Sequence, residues 1–380
     1  MADIRPFTYA LDDIAVGDIQ NRLDNARWPD PETVNDWSQG APLNYIRDLA
    51  HYWRTDYDFS AFEARVNAFK QFIVQIDGVD IHFIHERSPH PDAKALVLTH
   101  GWPGSVLEFW GVIDKLTNPT AHGGTESDAF HVICPTLPGY GFSGKPNETG
   151  WGPQRVASAW DDLLGTLGYD AYFAQGGDWG GRVTEAIGEQ NRGRCQGIHI
   201  NFLSAPPPAA AKSNPGPDDK RAIETFNDFI TTGSGYRHQQ ATRPQTLGYG
   251  LTDSPIGQLA WIIEKFREWS DCNGDPETVF SRNELLDHVT LYWLTASATS
   301  SARFYWERDR EGAKSQATVG VPAGYSLFPK EILQTPESWA REYLPNLVYF
   351  NALDKGGHFA AAERPDDFVN EVRRCFALMG

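Results

Sequence analysis

An aspartate occupies the place where a glycine-flanked turn would display a nucleophile. In AQGGDWGGRV, residues 174–183, Asp178 follows Gly176 and Gly177 and precedes, after Trp179, Gly180 and Gly181. A nucleophile held between a strand and a helix sits on a tight turn, and small neighbours let the backbone close around it. AYFAQ leads in with strand character and RVTEAIGEQ leads out with helical character. Capping that helix is the other ordinary use of an aspartate here. The chain contains no GxSxG, so a serine nucleophile is missing. Serine suits attack on a carbonyl, because the resulting ester can be hydrolysed; on sp3 carbon it would leave an ether. A carboxylate attacking sp3 carbon leaves an ester on the protein itself, which water can cleave at the carbonyl. Asp178 therefore points to an alkyl electrophile with a strained or good leaving group, an epoxide or an alkyl halide.

Cleaving such an ester needs an oxyanion site and a general base. HGWPGS, residues 100–105, follows the strand-like ALVLT, which makes the backbone N–H groups of Trp102 and Trp179 the candidate donor pair. Their indoles are the candidate substrate-binding surfaces, and His100 is assigned a structural hydrogen-bonding role. His358, in GGHFAAAERP just after LVYFNAL, has the chain position of a base in the order nucleophile, acid, histidine. Its orienting carboxylate is Glu331 in YSLFPKEIL, with Asp354 as the alternative on the histidine's own turn. An epoxide leaves as a strongly basic alkoxide and needs an acid, for which Tyr236 and Tyr305 are candidates among 14 tyrosines. Leu259, Trp261 and Trp293 suggest an apolar epoxide pocket, although such residues also build cores.

These residues need elements to hold them. FIVQIDGVDIHFIHE, residues 72–86, has the alternation and Asp-Gly signal of a hairpin. After it, short apolar runs (95–101, 130–136, 171–178 and 197–203) alternate with helical stretches, the pattern of an α/β domain with a mostly parallel sheet. The alternation stops at the proline-rich segment 204–220. Helical sequence follows, with Ser254 as N-cap, Pro255 in the first turn, and Ile256, Leu259, Ala260, Ile263 and Phe266 on one face. Strand-like runs return at 321–328 and 347–353. The expected organisation is an N-terminal wrapping region, 1–70, a first core part, 71–205, an inserted helical cap, 206–312, and a last core part, 313–380. The first of these is too aromatic to fold without a body to pack against.

The 380 residues, 41% hydrophobic and 22% charged, are enough for a large core. With a net charge of -17 and no basic cluster, nucleic acid is not expected as a partner. The four cysteines are scattered and form no CxxC, which argues against a zinc knuckle or a disulfide scaffold. No signal peptide or membrane span is read, so a cytoplasmic protein is expected.

HGWPGS, GGDWGG, GSGYRHQQATRPQTLGYGLTDSPIGQLAWIIEKF, LYWLTASATSSARFYWE, FPKEILQTPESW and GGHFAAAERP, together with RWPD and DYDFSAFEARVNAFKQF near the N-terminus, resemble the microsomal-type epoxide hydrolases of the α/β-hydrolase superfamily. The likeness runs over nearly the whole chain. It implies an α/β-hydrolase fold with an inserted cap, Asp178 as nucleophile, His358 as base, and Glu331 as the acid orienting it. It further implies Tyr236 and Tyr305 as the ring-opening pair and the HGWP tryptophan in the oxyanion loop. No cofactor or metal is implied. The expected partner is a small hydrophobic epoxide, with no membrane and with a homodimer as a possible assembly. The microsomal members' membrane anchor is missing, which points to a soluble relative. A haloalkane or haloacid dehalogenase is the nearest alternative, since it shares the aspartate; HGWP and the paired tyrosines argue against it. A non-catalytic ligand carrier of the same fold would be expected to have lost one of these residues.

Overall fold

The computed structural model describes residues 3–311 and 318–379. The expected boundary at 312/313 lies outside them. The strands are β1 Arg5–Phe7, β2 Gln71–Ile76, β3 Val79–Glu86, β4 Lys94–Thr99, β5 Phe130–Pro135, β6 Tyr172–Gly176, β7 Cys195–Ile200, β8 Ala323–Leu327 and β9 Leu347–Ala352. They form one sheet in the order β1-β2-β3-β5-β4-β6-β7-β8-β9. The first three pairings are antiparallel, and every pairing from β5 to β9 is parallel. Between β2 and β3, Asp77 (φ 49°) and Gly78 (φ 81°) both adopt positive φ, the geometry of the two-residue hairpin turn that Asp-Gly favours. The central strands are buried along almost their whole length because helices cover the sheet.

Helices from Ala209 to Glu311 form the insertion between β7 and β8. Within it, helix Pro255–Trp269 begins as the sequence predicts, with the Ser254 hydroxyl accepting from the Gly257 N–H at 3.1 Å and Ile256, Leu259, Ile263 and Phe266 buried. The segment 204–220 carries few anchors: Ala211 is buried in a small cluster with Ala222 and Trp339, apart from the main core, with Ala205 and Ile223 packed against it.

The N-terminal region finds its body in two places. Strand β1 extends the sheet beyond β2, an edge the sequence reading did not identify. Helices Leu43–Thr55 and Phe59–Val66 reach the insertion. The Trp53 Nε1–H donates to Thr290 Oγ1 at 3.0 Å, the Tyr57 hydroxyl donates to Asp287 Oδ1 at 2.6 Å, and Arg65 pairs with the same buried carboxylate at 2.6 Å. Asp48 meets Arg282 at 2.6 Å, and Asp253 meets Arg22 at 2.7 Å. The aromatic N-terminus thus ties the insertion to the sheet. Of the residues expected to line an apolar pocket, Leu259 is instead fully buried in the core, Trp261 donates to Gln240, and Trp293 lies under Arg22. Core packing accounts for all three.

Candidate active site

Strand β6 ends at Gly176, and the chain turns into helix Asp178–Gln190 through Asp178 itself, whose φ of 49° is a left-handed conformation rarely tolerated by a residue with a side chain. The flanking glycines are explained by crowding: a Cβ on Gly180 would run into the Thr99 carbonyl, and one on Gly176 into the backbone of Gly180. Asp178 does not cap its own helix, since Gly177 is the N-cap and no side chain bonds to that terminus. Its Oδ1 instead accepts the Trp102 backbone N–H at 2.8 Å, from the loop after β4. The second expected donor, the Trp179 N–H, makes no hydrogen bond to the carboxylate among the described residues.

On the other side of the carboxylate, His358 Nε2 lies 3.4 Å from Asp178 Oδ2, and His358 Nδ1 lies 2.6 Å from Glu331 Oε1. Glu331 follows β8 and His358 follows β9, so three strand ends converge on one imidazole. Asp354, the alternative acid, is exposed and makes no such contact. The histidine loop is pinned by its own N–H, which donates to the Trp269 carbonyl at 2.9 Å; a Cβ on Gly357 would strike that carbonyl. Burial alone would push the imidazole pKa down, but Glu331 and Asp178 override it and hold the pKa well above the ordinary histidine value. His100 is structural, with Nδ1 against the Gly101 carbonyl at 2.9 Å and Nε2 accepting from the Leu137 N–H at 3.1 Å. Burial keeps it neutral, with its pKa lowered to about 4.

Tyr236 and Tyr305 come from different helices of the insertion, Gly235–Thr242 and Ala298–Glu311, and their rings meet 5.8 Å apart and nearly perpendicular. Trp102 stacks on Tyr236 at 5.1 Å, and Trp179 meets Tyr305 edge-on at 4.6 Å. Both tyrosine pKa values are raised well above the ordinary value by burial, with the Asp178 charge adding to the effect, so both rings keep their protons. The Tyr305 hydroxyl and the Trp179 Nε1–H are buried without a hydrogen-bond partner. Unpaired buried donors cost about 1–3 kcal/mol each, and an oxygen of a bound molecule would relieve that cost. Trp179, Tyr236 and Tyr305 line a cavity of 330 Å³ that opens on Asp178. Trp102 lies behind Tyr236 and supports it.

Two residues were missed in the sequence. Trp269 closes the aromatic box, 5.2 Å from Tyr236 and 5.1 Å from His358, and nothing local distinguishes it from other tryptophans at helix ends. Glu108 was legible, because Ser105 and Glu108 spell a capping box directly after HGWPG. Its Oε1 accepts the Ser105 N–H at 3.1 Å, and burial pushes its carboxyl up to about 8. With Asp178 and His358, Glu108 lines a small space of 20 Å³, enough for one water.

The chain as a whole has counterparts among known proteins. Residues 4–109 match the family described as Epoxide hydrolase N terminus, and residues 94–221 match the alpha/beta hydrolase fold. A provisionally named epoxide hydrolase of Stigmatella aurantiaca is 49% identical over 373 residues, covering 98% of this chain and 84% of that protein. Epoxide hydrolase 1 of Sus scrofa is 34% identical, covering 99% of this chain and 89% of that protein. Among solved structures, Aspergillus niger epoxide hydrolase superposes with a TM-score of 0.90 at 32% identity, covering 100% of this chain and 97% of that one. Juvenile hormone epoxide hydrolase from Bombyx mori gives 0.91 at 29% identity, covering 100% and 95%. By sequence along its whole length, and by fold, the chain belongs to the epoxide hydrolase family of α/β-hydrolases.

Proposed function

We propose that this chain converts an epoxide and water to a vicinal diol through an ester formed on Asp178, with Tyr236 and Tyr305 as ring-opening acids and His358 as the base. The observation that carries this reading is the division of labour around one carboxylate: Oδ1 is held by the Trp102 amide, while Oδ2 faces His358. In the first step Oδ2 attacks a ring carbon, the C–O bond breaks, and the ring oxygen takes a proton from a tyrosine. The pair can act as an acid because burial keeps both phenols protonated.

In the second step His358 Nε2 takes a proton from water, and the hydroxide attacks Cγ of the ester. The oxyanion develops on the oxygen held by Trp102 N–H, and the Trp179 N–H is the neighbouring donor on the same turn. Collapse of this intermediate expels the diol alkoxide, which takes the proton from His358, and the Asp178 carboxylic acid left behind returns its own proton to the imidazole, restoring the resting carboxylate and imidazolium. Electrostatics time the base. The Asp178 charge helps keep His358 protonated in the resting protein, and esterification removes that charge. The imidazole then gives its resting proton to the tyrosinate left by ring opening, and so becomes a competent base only once there is an ester to hydrolyse.

Single turnover with excess protein in heavy-oxygen water tests this route. The first diol is expected to carry unlabelled oxygen from Asp178, and label in that first diol would mean direct hydration and sink the ester. Halide release from matched haloalkanes, expected to be negligible, checks the dehalogenase alternative.

A further inference from the structure

Resting on the reading that Asp178 opens an epoxide, we propose that the preferred substrate is an epoxide bearing a carboxylate, and that Arg308 binds that carboxylate where the reaction chamber meets an outer vestibule.

Each helix that delivers a reacting side chain also delivers an arginine to the chamber wall. Arg182 lies four residues after Asp178, Arg237 directly follows Tyr236, and Arg308 lies three residues after Tyr305. Spacings of three and four place residues on one helix face. At the helical rise, Arg308 and Arg182 stand about 4.5 and 6 Å further along their axes than the groups that react. Asp178 is the only acid lining this chamber among the described residues. The adjoining vestibule, 710 Å³, shares Arg182 and Arg308 with the chamber, adds Lys212, and has no acid in its wall. In a chain of net charge -17, a cationic lining is opposite in sign to the molecule as a whole, so bulk composition does not account for it.

Two of the three arginines are already engaged. Arg182 pairs with Glu185 at 2.8 Å and Arg237 with Asp309 at 3.0 Å. Arg308 makes no ion pair or hydrogen bond among the described residues. Glu311, one turn further on, lies within electrostatic range of Arg308 but makes its hydrogen bond with the Gln154 N–H, at 3.1 Å. A cation near a helix C-terminus gains from the dipole wherever it points, but Arg310 behaves differently from Arg308, donating to the carbonyls of Trp306 and Ala241. A half-buried guanidinium with no anion hydrogen-bonded to it is poorly solvated, and a carboxylate would answer it with two parallel hydrogen bonds. The rest of the chamber wall, including Phe202, Phe226, Phe229, Ile332 and Leu333, suits a hydrocarbon segment between ring and carboxylate.

The test compares terminal-epoxide hexanoate, octanoate and undecanoate with their primary amides by diol formation. For at least one chain length, kcat/KM for the acid is expected to exceed that for the amide by about tenfold or more. That ratio should collapse toward one in Arg308→Gln and recover in part in Arg308→Lys. High salt should lower the acid's kcat/KM more than the amide's. An acid-to-amide ratio at or below one at every length, or one unchanged in Arg308→Gln, overturns the carboxylate site while leaving epoxide hydrolysis intact. Absence of diol from every probe and from styrene oxide would instead fail the underlying reading. If Arg308→Gln does not fold, inhibition of wild-type styrene oxide turnover decides: octanoate inhibiting no better than octanamide overturns the proposal.

Discussion

The two halves of the site are built by different physics. The sheet half, comprising Asp178, Glu331, His358 and the Trp102 amide, stands on strand ends, with positions fixed by crowded glycines and short hydrogen bonds of 2.6 to 2.8 Å. The insertion half, comprising Tyr236, Tyr305 and Trp269, is held by ring packing at 5.2 to 5.8 Å, and the Tyr305 hydroxyl is left unpaired. Charge must be placed to within a fraction of an ångström to act as nucleophile and base, so it sits on the least deformable backbone. The acid that serves the leaving oxygen must stay unsatisfied until substrate arrives, and aromatic packing can hold a ring in place without using its hydroxyl.

Substitutions in the two halves should fail at different steps. Asp178→Ala should lower diol formation by about 10⁴-fold or more. His358→Gln should be nearly as inactive at steady state, yet it should still alkylate: intact mass should show an adduct equal to the epoxide, and a bare protein mass under saturating substrate would break the assignment of the base. Tyr236→Phe with Tyr305→Phe should slow alkylation by about 10²–10⁴-fold while leaving hydrolysis of any ester that forms close to normal. Rapid-quench measurement of the two phases separates the outcomes, and near-normal alkylation would remove the acid role from the insertion.

Stability probes sharpen the same contrast at smaller scale. Arg65→Met strips a cation from the buried Asp287 carboxylate that joins the N-terminal helices to the insertion, and should cost roughly 3 kcal/mol. Hydrogen exchange should rise in helix Arg282–Leu294 more than in β6. Equal loosening of both would mean the two halves unfold as one unit. A pH-dependent effect is expected from Glu108→Gln. Because the folded carboxyl holds its proton up to about 8, against an unfolded value near 4.5, its stabilising contribution is complete below about pH 4.5 and is lost as pH rises to about 8. Wild-type Tm should therefore fall between pH 5 and pH 8 by more than that of the variant, and parallel curves would refute the burial of that acid.

Local chemistry made much of this legible. Every strand but β1 shows as an apolar or alternating run, Asp-Gly announces its hairpin, and Ser254-Pro255 announces its helix. Asp178, Glu331 and His358 can be read because each stands just after a strand in a fixed chain order. The three-residue β1 is too short to carry a period, and it exists only because β2 offers it an edge. Leu259, Trp261 and Trp293 were expected at a pocket and turned out to be packing residues, since an apolar side chain looks the same in sequence whether it faces a core or a ligand.

The sequence by itself determined the chemistry: a carboxylate rather than a hydroxyl on the strained turn, a histidine and a glutamate on later loops, and tyrosines in the inserted helices. These are matters of residue type and local backbone, which short stretches specify. Only the tertiary structure decided that Trp269 closes the box, that Glu108 shares a water-sized space with the nucleophile, that the N-terminal helices clamp the insertion, and that arginines from three helices face one chamber. Each of these depends on contacts between segments far apart in the chain, and no local pattern encodes which distant surface a side chain will meet.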